Sequence, residues 1–262
     1  MSDQRINVVH QVVAIILTKN EEAHIADCIE SLRWADAILV FDCYSDDRTV
    51  EIAREQGAQV IQHPFRGYGS QRNAALDAVD AEWVFFVDAD ERATPQLGAE
   101  VRQVIEDTAY DGWWVPRHNY IFGGIVRHAG WYPDYQLRLL RRQRARYDPQ
   151  REVHEIVILD GEAGYLEHPL IHYNYATVGQ FLAKQRRYAD YDARILWEQG
   201  IRARPHKFIT RPLDEFRRRY FTLQGYKDGW RGLLLSGLMA YYQVVVYGRL
   251  RRLGAHVSRA DS

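Results

Sequence analysis

The chain lacks several features that would assign it to a class at once. It has two cysteines in 262 residues, Cys28 and Cys43. Two are too few for a disulfide framework and lack the spacing of a metal site, so both read as reduced thiols of a cytosolic protein. The first apolar run is followed by no Gly-x-Gly-x-x-Gly and no Gly-Lys-Ser/Thr, which excludes the dinucleotide and P-loop ways of holding a nucleotide. The N-terminus begins polar and runs straight into a strand pattern, so no signal peptide is expected. Net charge is almost absent too, at -1, but this hides an asymmetry. Residues 1–110 carry 9 Lys/Arg against 20 Asp/Glu, and residues 111–262 carry 25 against 15. Most Tyr and Trp fall in the later part, so an acidic first part precedes a basic, aromatic-rich second part suited to an anionic partner. Solvated arginine on helix faces is the plainer reading of that excess. The 47% hydrophobic content excludes wholesale disorder and suits one large domain or a domain with an appendage.

What is present centres on Phe85-Phe86-Val87-Asp88-Ala89-Asp90-Glu91. An apolar run ends in two carboxylates one residue apart, and alternate residues of an extended chain point the same way. Asp88 and Asp90 can therefore converge on a hard divalent cation; acidic residues heading a helix are the plainer alternative. Val12–Leu17, Ala37–Phe41, Ala58–Ile61 and Trp83–Val87 read as strands, with helical spacing between them. That alternation predicts an open parallel α/β sheet, whose ligands bind outside the carboxyl ends of the strands. Thr18–Glu21, Asp42–Asp47 and Asp88–Glu91 all fall at such ends and point to a nucleotide or another phosphate-bearing ligand. An acidic edge facing a diphosphate needs a metal ion to offset the charge.

Further along, Gly112–Pro116 reads as a fifth strand and Tyr120–His128 as a hairpin-rich insertion. Asp134 follows Pro133 among aromatic residues. Partial desolvation there raises a carboxyl toward the range of a general base; a turn cap is the other reading. His154 with Glu155 suits a metal ligand or diphosphate contact, or a structural histidine, whereas His168 and His172 show no ligand spacing. Thr177–Gln199 is helical, and Pro212–Tyr226 is a basic, aromatic helical region. Gly232–Gly248 is 17 residues without a charge between arginines. It is short for a spanning helix of about 20 residues and suits a helix in the membrane interface, or one buried in a soluble core.

These residues resemble the family 2 inverting glycosyltransferases of GT-A fold. Val13 to Glu21, Asp42-Cys43-Tyr44-Ser45-Asp46, Gln71-Arg72-Asn73 and Asp88-Ala89-Asp90-Glu91 carry the likeness, which covers roughly the first 140 residues. Gly67–Asn73, Trp131–Tyr135, Val153-His154-Glu155 and Tyr226–Gly232 are similar to one branch, the lipopolysaccharide inner-core β-glucosyltransferases. The resemblance implies the α/β GT-A fold; a catalytic domain is expected over 1–175 and a helical C-terminal region, membrane- or acceptor-associated, over 176–262. It implies a nucleotide-sugar pocket lined by Thr18, Asn20, Glu21, Asp42, Gln71, Arg72, Asn73 and Asp88. Asp90, with Asp88 and His154, would hold Mg²⁺ or Mn²⁺, and Asp134 would be the base, with Glu155 in reserve. The family's usual acidic doublet at that point is here Pro133-Asp134.

The expected reaction is metal-assisted single displacement from a UDP-hexose, glucose first, onto a lipopolysaccharide-core or other envelope glycan. The enzyme is expected in the cytoplasm, peripheral on the inner face of the membrane, and without a nucleic-acid partner. A metal-dependent nucleotidyltransferase and a non-catalytic nucleotide-sugar-binding module are the competing readings.

Overall fold

The computed structural model describes residues 10–149 and 156–260. His154 and Glu155 lie outside them. The chain divides into two compact units, Met1–Arg117 with Asp134–His172, and His118–Pro133 with Tyr173–Ser262.

The first unit opens with strands and helices in alternation: β1 (His10–Thr18), α1 (Ile25–Ser31), β2 (Ala37–Asp42), α2 (Thr49–Glu55), β3 (Gln59–Gln62), α3 (Tyr68–Ala78) and β4 (Ala81–Asp88). The four strands pair in parallel in the order β3-β2-β1-β4, as the alternation predicts. Both faces of β1, β2 and β4 are covered, which is why these strands are continuous apolar runs, whereas the edge strand β3 is partly exposed. Val12, Ala14 and Ile16 of β1 face one core with Ile25, Cys28 and Ile29 of α1. Val13 and Ile15 face the other, with Ala75 and Leu76 of α3. Each fully buried aliphatic or aromatic side chain here contributes about 1.5–3 kcal/mol.

β5 (Glu91–Ala93) and α4 (Pro95–Val104) follow. The cap of α4 is Thr94, whose hydroxyl accepts the backbone N–H of Leu97 at 3.2 Å, with Pro95 in the first turn. The acidic run therefore does not cap a helix. Beyond β4 the sheet changes sense. β6 (Gly112–Ile121) runs out into the second unit, β7 (Gly124–Val126) pairs back on it, and β8 (Tyr135–Arg141) returns antiparallel to both β6 and β4. β9 (Ala145–Tyr147) and β10 (Val157–Leu159) form a small antiparallel pair. β11 (Ala163–Tyr165) pairs with β6, and β12 (Leu170–Tyr175) pairs with β5. Gly69 at the start of α3 permits a close approach: a Cβ there would meet the Asp148 carbonyl oxygen at 2.5 Å.

The second unit holds the outer ends of β6 and β12 and three helices, α5 (Val178–Glu198), α6 (Lys207–Arg217) and α7 (Gly229–Ala260). α5 begins in a capping box, with Thr177 and Gln180 each bonding the other's backbone. Ile121, Phe122, Val126, Tyr175, Phe181 and Leu235 form this unit's own core. The basic aromatic helix starts earlier than its sequence suggests. Pro212 sits inside α6 and costs it one backbone hydrogen bond without ending it. The helix gives way at a π turn, Arg218–Thr222, followed by the left-handed Gln224.

Candidate active site

The register of the parallel block builds the site. Thr18 pairs with Asp42 and Leu17 with Asp88, so three polar strand ends share one edge. Asp42 is fully buried and organises the edge from beneath. Its Oδ1 accepts the hydroxyls of Thr18 at 3.0 Å and Ser45 at 2.5 Å, and its Oδ2 accepts Ser45 N–H at 2.8 Å and Gln62 Nε2 at 3.1 Å. The loops after β1 and β2 are laced together. Asn20 N–H donates to Ser45 Oγ, its side-chain oxygen accepts Asp46 N–H, and Glu21 N–H donates to Thr49 Oγ1. Asn20 and Tyr44 both adopt positive φ, at 58° and 57°. Tyr44 stands about half exposed at this edge.

The loop residues at α3 divide their work. Gln71 is buried, donating to Cys43 Sγ at 3.1 Å and facing His63 Nδ1 at 3.0 Å. Asn73 brackets the backbone of Tyr147, donating to its carbonyl and accepting its N–H, both at 2.8 Å. Arg72 lies between the Phe86 and Tyr147 rings and donates to Asp88 Oδ1 at 3.3 Å.

Asp88 and Asp90 have different surroundings. Arg138 of β8 also donates to both oxygens of Asp88. Burial pushes the Asp88 carboxyl up, but the charges of Arg138 and Arg72 outweigh it and hold the group well below the usual carboxylate range. Asp90 instead meets His172 of β12, whose Nε2 is 3.3 Å from its Oδ2. Among the described residues no three His, Cys, Asp or Glu side chains gather as a self-sufficient metal cage.

Glu91 ties this end of the sheet to Asp134. It is fully buried. Its Oε2 accepts Asp88 N–H at 3.0 Å, while its Oε1 accepts Arg138 Nη2 at 3.0 Å and Arg117 Nη1 at 2.9 Å. Arg117 then donates to Asp134 Oδ2 from Nε at 3.0 Å and Nη2 at 2.8 Å, and Gln136 Nε2 donates to Oδ1 at 2.9 Å. Desolvation opposes the charge on Arg117, but Glu91 and Asp134 raise its pKa above the usual arginine value. Desolvation likewise opposes that of Arg138, which Asp88 and Glu91 raise well above it. The charges alternate from Asp88 through Arg138, Glu91 and Arg117 to Asp134. The Asp134 carboxylate is thus held by a guanidinium and an amide.

Sequence reasoning missed Arg117, Arg138, His172 and the bridging role of Glu91. The signals were present but weak: an arginine directly after Val115-Pro116 in an apolar strand, and another between Leu137 and Leu139. His172 has no sequence neighbour to mark it, because the pairing of β12 with β5, not spacing along the chain, sets it opposite Glu91 and beside Asp90.

The profile of the family described as "Glycosyl transferase family 2" matches residues 13–163, more than half of the chain. The chain belongs to glycosyl transferase family 2. A "lipopolysaccharide core biosynthesis glycosyltransferase LpsC" of Rhizobium meliloti is 30% identical over 257 residues, covering 95% of this chain and 94% of its own. An uncharacterised glycosyltransferase of Rickettsia bellii is 25% identical over 95% of this chain and 89% of its own. Among solved structures, the mannosyltransferase PcManGT of Pyrobaculum calidifontis, in complex with GDP-Man and Mn²⁺, superposes with a TM-score of 0.55 at 13% identity. That superposition covers 93% of this chain and 88% of that one. The fold is therefore the GT-A type, as the sequence motifs imply, and the chain is a glycosyltransferase. The nucleotidyltransferase and binding-module readings have no support from these matches.

Proposed function

We propose that this enzyme transfers a hexosyl group, glucose from UDP-glucose in the first instance, to a hydroxyl of a lipopolysaccharide-core or other lipid-linked envelope glycan, by one inverting displacement. The R. meliloti relative supports the acceptor class by its name and by its near full-length match. The Pyrobaculum neighbour, solved with GDP-Man and Mn²⁺, supports a nucleotide-sugar donor and a divalent ion. The observation that carries the reading is the buried charge chain joining Asp88 at the end of β4 to Asp134 ahead of β8.

The residues fit a divalent ion of a particular kind. Asp90 offers a partly exposed carboxylate, and His172 places an imidazole nitrogen 3.3 Å from it. Asp88 is engaged by two guanidiniums, so Asp90 and His172 would be the protein ligands. An ion bound by one or two side chains takes its remaining ligands from substrate phosphates and water, as Mg²⁺ commonly does. When bound it supplies Lewis-acid neutralisation of the diphosphate leaving group. In this reading the hydrogen-bonded edge of Thr18, Asn20, Glu21, Asp42 and Tyr44 receives the nucleoside, and Arg72, held beside Phe86 and Asp88, supplies positive charge toward the diphosphate. Asp134 accepts the proton of the acceptor hydroxyl as that oxygen attacks the anomeric carbon from the face opposite the leaving group, giving a β-linked product from an α-linked donor. Arg117 and Gln136 hold the Asp134 carboxylate in one orientation for that step.

Incubation with UDP-glucose, Mn²⁺ and a deacylated lipopolysaccharide core tests this. The reading requires UDP as the released nucleotide and a β-configured new linkage by NMR. Pyrophosphate release, or an α-configured product, would contradict it.

A further inference from the structure

We propose that α6 docks this chain on an anionic lipid surface. The helix turns Phe208, Pro212, Glu215 and Phe216 partly inward, and Phe208 meets Tyr247 of α7 at 6.2 Å between ring centroids. Its outer face is amphipathic: two exposed aliphatics stand among the exposed Thr210, Arg211, Asp214 and Arg217, where a solvated helix is ordinarily polar throughout. Ile209 and Leu213, one turn apart and so on the same face, are 66% and 63% exposed, and Phe221 in the following π turn is 59% exposed. Single exposed aliphatics need no explanation, but a stripe on an amphipathic helix does.

Charge identifies the occupant. Residues 201–231 hold nine Lys/Arg against three Asp/Glu. Glu215 is engaged by Arg218 at 3.0 Å and Arg219 at 2.5 Å. Asp228 is engaged by the backbone N–H groups of Arg127 and His128 and by His128 Nδ1. That leaves Asp214 as the one exposed acid of the segment, among the exposed Arg211, Arg217 and Arg218. An apolar stripe bordered by guanidiniums matches a membrane interface with anionic head groups: the aliphatics enter the acyl boundary and the arginines meet phosphates. A second copy of this chain fits worse, because self-pairing of the face would set these arginines against their own kind.

α7 points to a surface mode, although the stretch Gly225–Ala255 is long and apolar enough to cross a membrane by length and composition. Its Tyr242 hydroxyl donates to Asp192 at 2.6 Å, and its Arg249 pairs with Asp190 at 3.2 Å. Both acids belong to α5, which also carries Lys184, Arg186, Arg187, Arg194 and Glu198. A span by α7 would draw that charged helix into hydrocarbon.

The inference deepens the proposed function by placing the enzyme beside a lipid-linked acceptor, but it is tested without substrate. Full-length protein is floated with vesicles of phosphatidylcholine alone and of phosphatidylcholine mixed with phosphatidylglycerol. The expected result is binding to the mixed vesicles and little to the neutral ones. The double variant Ile209→Ser/Leu213→Ser should bind about tenfold more weakly or worse, and Arg211→Gln/Arg217→Gln likewise by about tenfold. All four side chains are exposed, so melting temperature and nucleotide-sugar binding should stay at wild-type values. Equal binding to both vesicle types, or undiminished binding by the Ile209/Leu213 variant, would overturn the proposal. So would a dimer in solution that this variant abolishes, without vesicle binding. Vesicle binding in a protein that binds no nucleotide sugar would instead count against the glycosyl-transfer reading and leave this one standing.

Discussion

Arg117 grips Asp134 with two donors on one oxygen, Nε at 3.0 Å and Nη2 at 2.8 Å from Oδ2. A fork of this kind fixes the carboxylate's direction as well as its charge, which a lysine cannot do. Asp134→Asn should lower kcat by about 10²–10⁴-fold, as loss of a general base does, with donor affinity kept. Arg117→Lys should lower kcat roughly tenfold or more and leave donor affinity near wild type. Steady-state kinetics paired with donor titration separates these outcomes; loss of donor binding in Asp134→Asn would remove its assignment as the base.

Glu91 is buried between Arg138 and Arg117 at 3.0 and 2.9 Å. Replacing it with Gln keeps the shape and leaves two buried guanidiniums short of a counter-charge. The expected loss of unfolding free energy is about 3–5 kcal/mol, the usual effect of removing one partner of a buried ion pair. Denaturant titration measures it, and a loss below about 1 kcal/mol would place the pair in the class of exposed salt bridges.

Asp88 sets a pH dependence. Its folded carboxyl lies well below the usual range, so the unfolded chain takes up a proton first as pH falls. Its stabilisation is complete above the unfolded value of about 3.9 and declines as pH drops through it toward the folded value. About a third of the side chain is exposed, so solvent screening moderates the effect. Asp88→Asn should flatten the stability profile below about pH 4 and leave its slope near neutrality unchanged. An unaltered acid limb would show that Arg72 and Arg138 do not stabilise the carboxylate.

Asn73 holds the frame around Tyr147. Its amide satisfies both backbone groups of the buried Tyr147 at 2.8 Å each. Asn73→Ala should cost about 2 kcal/mol of stability, because two buried groups lose their partners. Asn73→Asp should recover part of it, since a carboxylate still accepts the Tyr147 N–H. Equal losses in both variants would argue against the bracket.

The sequence made legible whatever depends on local pattern. The buried parallel strands β1, β2 and β4 announce themselves as short apolar runs, and the polar residues directly after them stand on one edge, as their places in the sequence predict without any knowledge of the partner strands. What depends on long-range pairing stayed hidden. Arg138 is marked in the sequence only by its place between Leu137 and Leu139, yet β8 pairs antiparallel with β4 and carries it into the buried centre. His172 gains its place beside Asp90 only through β12 lying on β5. The uncharged run Gly232–Gly248 shows the same limit. Its apolar length is visible in the sequence, but the burial of Leu235, Tyr242, Val246 and Tyr247 within the second unit is not. The exposed stripe of α6 was masked by the arginines interleaved with it.

The most direct test of the central claim is calorimetric titration of the purified protein with UDP-glucose, first with Mn²⁺ and then with excess chelator, for wild type and Asp90→Ala. The account predicts binding by the wild type with metal, its loss on chelation, and no metal-dependent binding by the variant. UDP-glucose binding of equal strength in chelator, or an unaffected Asp90→Ala protein, would contradict it.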